Sequence, residues 1–247
     1  MSAGRRVATV AAVLLAIASP IAQAMSGWGL DQAEFARQGN STLRAAGWAF
    51  SIWTLIYGGL LAYAIYQVQR PDRPMVRALG WPAAGAVAGC GLWIWASAAD
   101  ARWATVAIIV ASAAAAVMAL LRGRGLAEDS KDKLFASWPI ALLGGWLTVA
   151  SAVNILTVLT AEGLLDGAAK AAALTGIVVV LVVALAVLRS GVSAVYAIPV
   201  AWGLIGVWAA ERVEKPDVAA LAVGAAVLTG AYGLWQAWRR RRGQVAI

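Results

Sequence analysis

Ala171-Ala-Ala-Leu-Thr-Gly-Ile-Val-Val-Val-Leu-Val-Val-Ala-Leu-Ala-Val-Leu188 runs for 18 residues without a charge, between Lys170 and Arg189. At about 1.5 Å of rise per residue, a helix of that length nearly crosses a hydrocarbon core about 30 Å thick. Ala168 to Leu188 therefore reads as a transmembrane helix. Working outward, comparable stretches extend from Val7 to Ala24, Gly47 to Val68, Leu79 to Ala99, Trp103 to Leu121, Leu134 to Thr160, Val192 to Ala210 and Val218 to Trp238, each bounded by charge or Pro. With 62% apolar and only 13% charged residues in 247, little is left for a domain outside the membrane. The expected fold is an all-α polytopic membrane bundle of about eight helices. It has seven if Arg5-Arg6, the apolar run after them and the end Ala22-Gln23-Ala24 form a cleaved secretory signal peptide.

Orientation follows from the loops. Lys and Arg number 14 on one side (Arg5, Arg6, Arg70, Arg73, Arg77, Arg122, Arg124, Lys131, Lys133, Arg189 and Arg239 to Arg242) and 6 on the other (Arg37, Arg44, Arg102, Lys170, Arg212 and Lys215). Cytoplasmic loops are the ones enriched in these residues, so the C-terminus is expected in the cytoplasm and the chain in the cytoplasmic (inner) membrane. The tail Arg239 to Arg242 follows Trp235 and Trp238 and reads as a topology anchor rather than a nucleic-acid patch. Membrane lipids are thus expected partners, and nucleic acid is not.

Chemistry is bounded as tightly. No His and one Cys leave no His-ligated metal or haem, no Ser-His-Asp triad, no zinc cluster and no internal disulfide. No charge lies deep in a span, which disfavours an ion-coupled pump, a voltage sensor or a retinal Schiff base. No enzymatic activity is expected. The spans hold instead Trp, Tyr, small residues and a few neutral polar groups. Phe50, Trp53 and Tyr57 follow i, i+3, i+7 spacing and make one aromatic stripe, suited to stacking on a planar ligand or packing on a helix. Thr148, Ser151 and Asn154 recur at steps of three, and the Asn154 amide needs a partner, either another helix or a ligand. Gly85 and Gly89 form a GxxxG pair, open to packing within the chain or to dimerisation.

Trp48-Ala-Phe50-Ser-Ile-Trp53-Thr-Leu-Ile-Tyr57-Gly resembles the signature of the TspO/MBR family of tryptophan-rich sensory, peripheral benzodiazepine receptor-like proteins. Trp138-Pro139 followed by Gly-Trp146-Leu-Thr-Val-Ala150-Ser-Ala-Val-Asn154 resembles that family's fifth helix. Cys90 stands near the place of a family Asn, and the paired prolines before the second helix are missing. The resemblance covers a five-helix unit, residues 1 to 160, and leaves residues 161 to 247 as a three-helix extension of its longer members. It implies a helical bundle enclosing a site for a porphyrin or other tetrapyrrole, or for a lipid-like molecule, held without a covalent cofactor. Carried over by position, Trp48, Phe50, Trp53, Tyr57, Trp93, Trp146, Ala150 and Asn154 would line that site. The implied role is a ligand-binding sensor or carrier, and the implied partner a second copy of the chain. An accessory or assembly subunit of a larger membrane complex is the alternative. The loop from Met25 to Ala46, the longest in the chain, suits a lid.

Overall fold

The computed structural model describes residues 3–245. The long helices are α1 (Ala3–Ser26), α3 (Ile52–Gln69), α4 (Pro74–Ala98), α5 (Arg102–Arg122), α7 (Trp138–Ala161), α8 (Ala169–Arg189), α9 (Ala197–Glu211) and α10 (Pro216–Val245). Short pieces fall between them: α2 (Gln32–Arg37), a 3-10 turn Gly47–Ser51 leading into α3, one turn α6 (Ser130–Asp132), a wide π turn Lys133–Ser137 and a 3-10 turn Ala194–Tyr196. Among the described residues there is no strand, and eight helical segments are long and apolar enough to cross a membrane.

Five helices close into a ring. α1 packs on α3, α3 on α7, α7 on α5, α5 on α4, and α4 back on α1. α8 and α9 lie against the far side of α7, and α10 covers them both. This arrangement makes α7 the central helix, with 67% of its span buried against 33% for α1, α3, α5 and α8. A helix surrounded by protein needs no polar face, and α7 reads as apolar all round for that reason. One core runs unbroken from Ala12 in α1 to Ala226 in α10, so no gap in packing accompanies the α7–α8 turn near residue 160.

α1 is integral to the ring. Ala12, Val13 and Ala16 are buried, Trp95 Nε1 donates to Ser19 Oγ at 3.1 Å, and Gln67 Nε2 donates to the Arg6 carbonyl at 3.1 Å. Pro20 sits within this helix without ending it.

Two spans begin earlier than their apolar runs. α4 starts at Pro74, five residues before Leu79, with Pro at the first helical position, where its missing N–H costs nothing. It then breaks at Gly80 (φ 43°, ψ −138°), beside Pro82, a conformation that favours glycine. Arg5 Nη1 donates to the freed Arg77 carbonyl at 3.0 Å. The helix containing α7 likewise starts at Ser130 and passes through the π turn, in which the Trp138 amide reaches back to the Lys133 carbonyl. Pro139 follows; its ring would crowd the carbonyl four residues back in a regular helix, and a wider turn relieves that contact.

The extension is held by close backbone approach. A Cβ on Gly145 of α7 would stand 2.6 Å from Pro199 Cγ and closer still to the Tyr196 carbonyl oxygen. The Gly89 half of the GxxxG pair is likewise used within the chain, facing Ser112 of α5, while Gly85 has open space beside it.

Candidate functional site

The 3-10 turn and the first turns of α3 present four aromatic rings, and α7 answers with Trp146, which is almost fully buried. Trp53 stacks on Tyr57 with centroids 5.0 Å apart and planes at 29°, and it meets Trp146 edge-on at 6.3 Å. Phe50 meets the same Trp146 edge-on at 5.8 Å. The stripe legible in the sequence is thus assembled, with Trp146 as its anchor. Trp53, Tyr57, Trp93 and Ala150 are only half-buried although they pack against the core. Trp48 turns the other way and packs edge-on against Trp202 of α9 at 5.0 Å, while Trp202 Nε1 donates to the Ala49 carbonyl at 2.8 Å.

Asn154 joins three helices. Trp93 Nε1 of α4 donates to Asn154 Oδ1 at 3.0 Å, and Asn154 Nδ2 donates to Thr105 Oγ1 of α5 at 3.0 Å. The Thr105 hydroxyl spends its own hydrogen on the Arg102 carbonyl at 2.6 Å, so it can only accept from Asn154. The indole can only donate, which fixes the orientation of the amide. Thr105 is the partner that the sequence did not disclose. Thr148 and Ser151 do not share this site. Each step of three rotates a helical position by about −60°, so the three residues face different neighbours. Thr148 accepts from the Tyr196 hydroxyl at 2.6 Å, and Ser151 leans toward the Ile109 carbonyl at 3.5 Å.

Asn154→Leu should lower thermal stability in detergent by about 1–2 kcal/mol, since it orphans the Trp93 indole and a Thr105 acceptor inside the bundle. Unfolding midpoints of the two purified proteins check this. An unchanged midpoint would mean that the three-helix junction carries no load.

Above the ring, the loop between α1 and α3 is fastened on every side. Within it α2 starts with a capping box, Glu34 N to Asp31 Oδ1 at 2.6 Å and Asp31 N to Glu34 Oε2 at 2.8 Å. Phe35 is buried and meets Trp93 edge-on at 5.8 Å. Leu30 N bonds the Ala98 carbonyl, Gln38 Nε2 bonds Asp100 Oδ1, and Thr160 Oγ1, whose own hydrogen goes to the Leu156 carbonyl, accepts from the Thr42 hydroxyl at 2.7 Å. The extension supplies the remaining fastenings. The Arg44 amide donates to Glu211 Oε1 at 2.9 Å, the Arg44 guanidinium pairs with Glu214 at 2.6 Å, and Lys215 Nζ donates to the Thr42 carbonyl at 3.0 Å. Arg44 holds the Glu214 carboxyl below the usual carboxylate range, so their pairing persists above that range and is lost as pH falls through the lowered value.

At the opposite end a cleft of about 340 Å³ is lined by Tyr66, Arg70, Arg73, Asp129, Ser130 and Lys131. Beneath it lies Asp132, whose side chain is 0% exposed. Its carboxylate accepts from Tyr66 Oη at 2.8 Å, Arg73 Nε at 3.1 Å, Arg73 Nη2 at 2.9 Å and the Glu128 amide at 2.9 Å. This hub seats α3 and the α3–α4 turn on the start of the α7 helix, and no candidate binding residue belongs to it.

Comparison with known proteins gives a match to the model of one family, described as TSPO-like protein, over residues 6–235. No curated protein and no solved structure matches the chain. The family match continues through α8, α9 and most of α10, well past residue 160, where the motif resemblance stops.

Proposed function

This chain belongs to the TSPO-like family and is a multi-pass membrane protein, and from that premise we propose that it binds a flat apolar ligand of the tetrapyrrole class against the aromatic cluster of α3 and α7, as a sensor or carrier. The observation that supports this reading is the set Trp53, Tyr57, Trp93 and Ala150, all half-buried, with Trp53 set edge-on to Trp146 and Trp93 edge-on to Phe35 of the loop. Offset and edge-on aromatic contacts of this kind stabilise a planar partner without covalent chemistry. The Trp93 indole and the Asn154 amide are already paired with each other, so recognition rests on shape and stacking, with Asn154 holding the wall in place. The Tyr57 hydroxyl makes no hydrogen bond among the described residues and is the polar group left to orient a ligand.

Titration with a free-base porphyrin tests the reading. Saturable quenching of Trp emission is expected, and Trp53→Ala combined with Trp146→Ala should weaken the affinity about tenfold or more, at the stacking scale of about 1 kcal/mol per aromatic pair. A double variant that titrates like the parent would remove the proposal.

The same reading places the chain in the cytoplasmic membrane with its C-terminus inside, as the 14 to 6 partition of basic residues favours. A reporter fused after Ile247 should be active only on the cytoplasmic side, and activity on the other side would reverse every loop.

A further inference from the structure

The end of the bundle that carries both termini is divided electrically. On one side Arg73 gathers Glu128, Asp129 and Asp132. On the other, Arg122 and Arg124 follow one another at the end of α5 and just past it, Arg189 ends α8, and Arg239, Arg240 and Arg242 lie in the last turns of α10; among the described residues no carboxylate lies within ion-pair distance of any of them. Two of these guanidinium groups meet at one turn. Arg124 Nη1 donates to the Ser190 carbonyl, and Arg240 Nη2 donates to the Gly191 carbonyl and to the Val192 carbonyl at 2.9 Å. A Cβ built on Gly191 would have Arg124 Cδ at 3.2 Å and Arg240 Nη2 at 3.9 Å, so both cations flank the same residue.

The carbonyls at the C-terminal end of α8 carry partial negative charge and offset part of the repulsion between the two cations. They do not use the fork. Each guanidinium has five N–H donors, of which Arg124 commits one group and Arg240 another to these carbonyls. The remaining N–H groups make no hydrogen bond among the described residues, and nearby on α10 Trp235 and Trp238 are half-exposed and carry Arg239 and Arg242 over their rings at 4.9 and 3.9 Å. Tryptophans settle at the headgroup level, which puts the arginines level with lipid phosphates. Met118 and Leu121 of α5 and Val182 and Val183 of α8, near the same ends, are exposed for acyl chains to lie against.

We propose that the corner made by Arg124, the Ser190–Val192 turn and Arg240 binds the phosphate group of an anionic phospholipid. A phosphodiester presents two oxygens to two forks and neutralises a close pair of cations for which the described residues supply no counter-ion. A diffuse basic surface would attract anionic lipid in proportion to its charge alone. This corner is expected to select it.

Native mass spectrometry of the detergent-purified full chain, titrated with phosphatidylglycerol and separately with phosphatidylcholine, provides the test. One phosphatidylglycerol should bind saturably and in preference to phosphatidylcholine. Arg124→Gln with Arg240→Gln should reduce that affinity about tenfold or more. Arg70→Gln with Arg77→Gln removes the same charge from the same membrane face and should change it less than about twofold. Equal losses in the two pairs would reduce the site to surface charge and overturn the proposal. Arg240→Gln alone leaves the Arg124 contact to α8 in place and gives the same reading if the first pair does not fold. Inorganic phosphate is the second probe. Phosphate that displaces the lipid at equal molar ratio would assign the corner to a soluble anion, and the lipid assignment would fall.

Discussion

Asp132→Ala is expected to cost about 2–4 kcal/mol of stability, since it leaves several hydrogen-bonding groups without their acceptor. Asp132 lies three residues from an exposed neighbour of the same type, Asp129, whose side chain is 49% exposed and pairs with the same arginine. Asp129→Ala should cost less than about 1 kcal/mol, because water screens the exposed pair and replaces it readily. Burial distinguishes the two. Removal of Asp132 strips the Tyr66 hydroxyl, two Arg73 groups and the Glu128 amide of their common acceptor at once. Unfolding midpoints in detergent for both variants, measured side by side, check the contrast, and equal losses would show that the hub is hydrated.

Gly145→Val should be the most damaging change in the C-terminal half, at about 3 kcal/mol, the upper end of the usual overpacking range. The obstruction is a backbone carbonyl, that of Tyr196, so no rotamer change can clear it. α9 must move off α7, taking with it the Thr148–Tyr196 hydrogen bond and the Trp202 contact to Ala49. Gly224→Ala in α10 is the matched control. It has open space around its position, and replacing a mid-helix glycine there should be neutral or stabilising by about 0.5–1 kcal/mol. Midpoints for the pair separate a specific clash from a general intolerance of larger residues.

The eight spans were legible because an apolar run bounded by charge needs no tertiary information to be recognised. Their starts were less so. Pro74 and Ser130 begin their helices in polar sequence, where hydropathy is silent and the geometry of Pro82 and Pro139 decides the path. Phe50, Trp53 and Tyr57 could be placed on one stripe from spacing alone, and Trp146 could be set near them through the family resemblance. Trp48 could not be separated from them, since its partner Trp202 lies in the extension, 154 positions away. Asn154 announced its need for a partner, and Trp93 could be set in the same site through the family resemblance, but Thr105 is an ordinary residue of its own span until the ring brings it alongside. Arg44 and Asp132 looked like loop charges. Each is fixed by a contact over 59 or more positions, a distance at which local pattern carries no signal.

The loop above the ring is tied at one edge to α4 and α7 and at the other to α9 and the α9–α10 turn, 167 positions later in the chain. On the proposed reading, a ligand arriving from that side has to release this loop, which would then act as a two-state gate. Its apparent affinity is its intrinsic affinity multiplied by the fraction of molecules with the gate released, so each 1.4 kcal/mol or so of closing free energy weakens binding about tenfold. The relation is reciprocal: a ligand that is accommodated only when Arg44 has left Glu211 loosens α9 by the same free energy that the latch takes from its binding. On that reading, occupancy of the ring would be readable at the far edge of the extension, and the three additional helices would have a means of reporting what the first five hold.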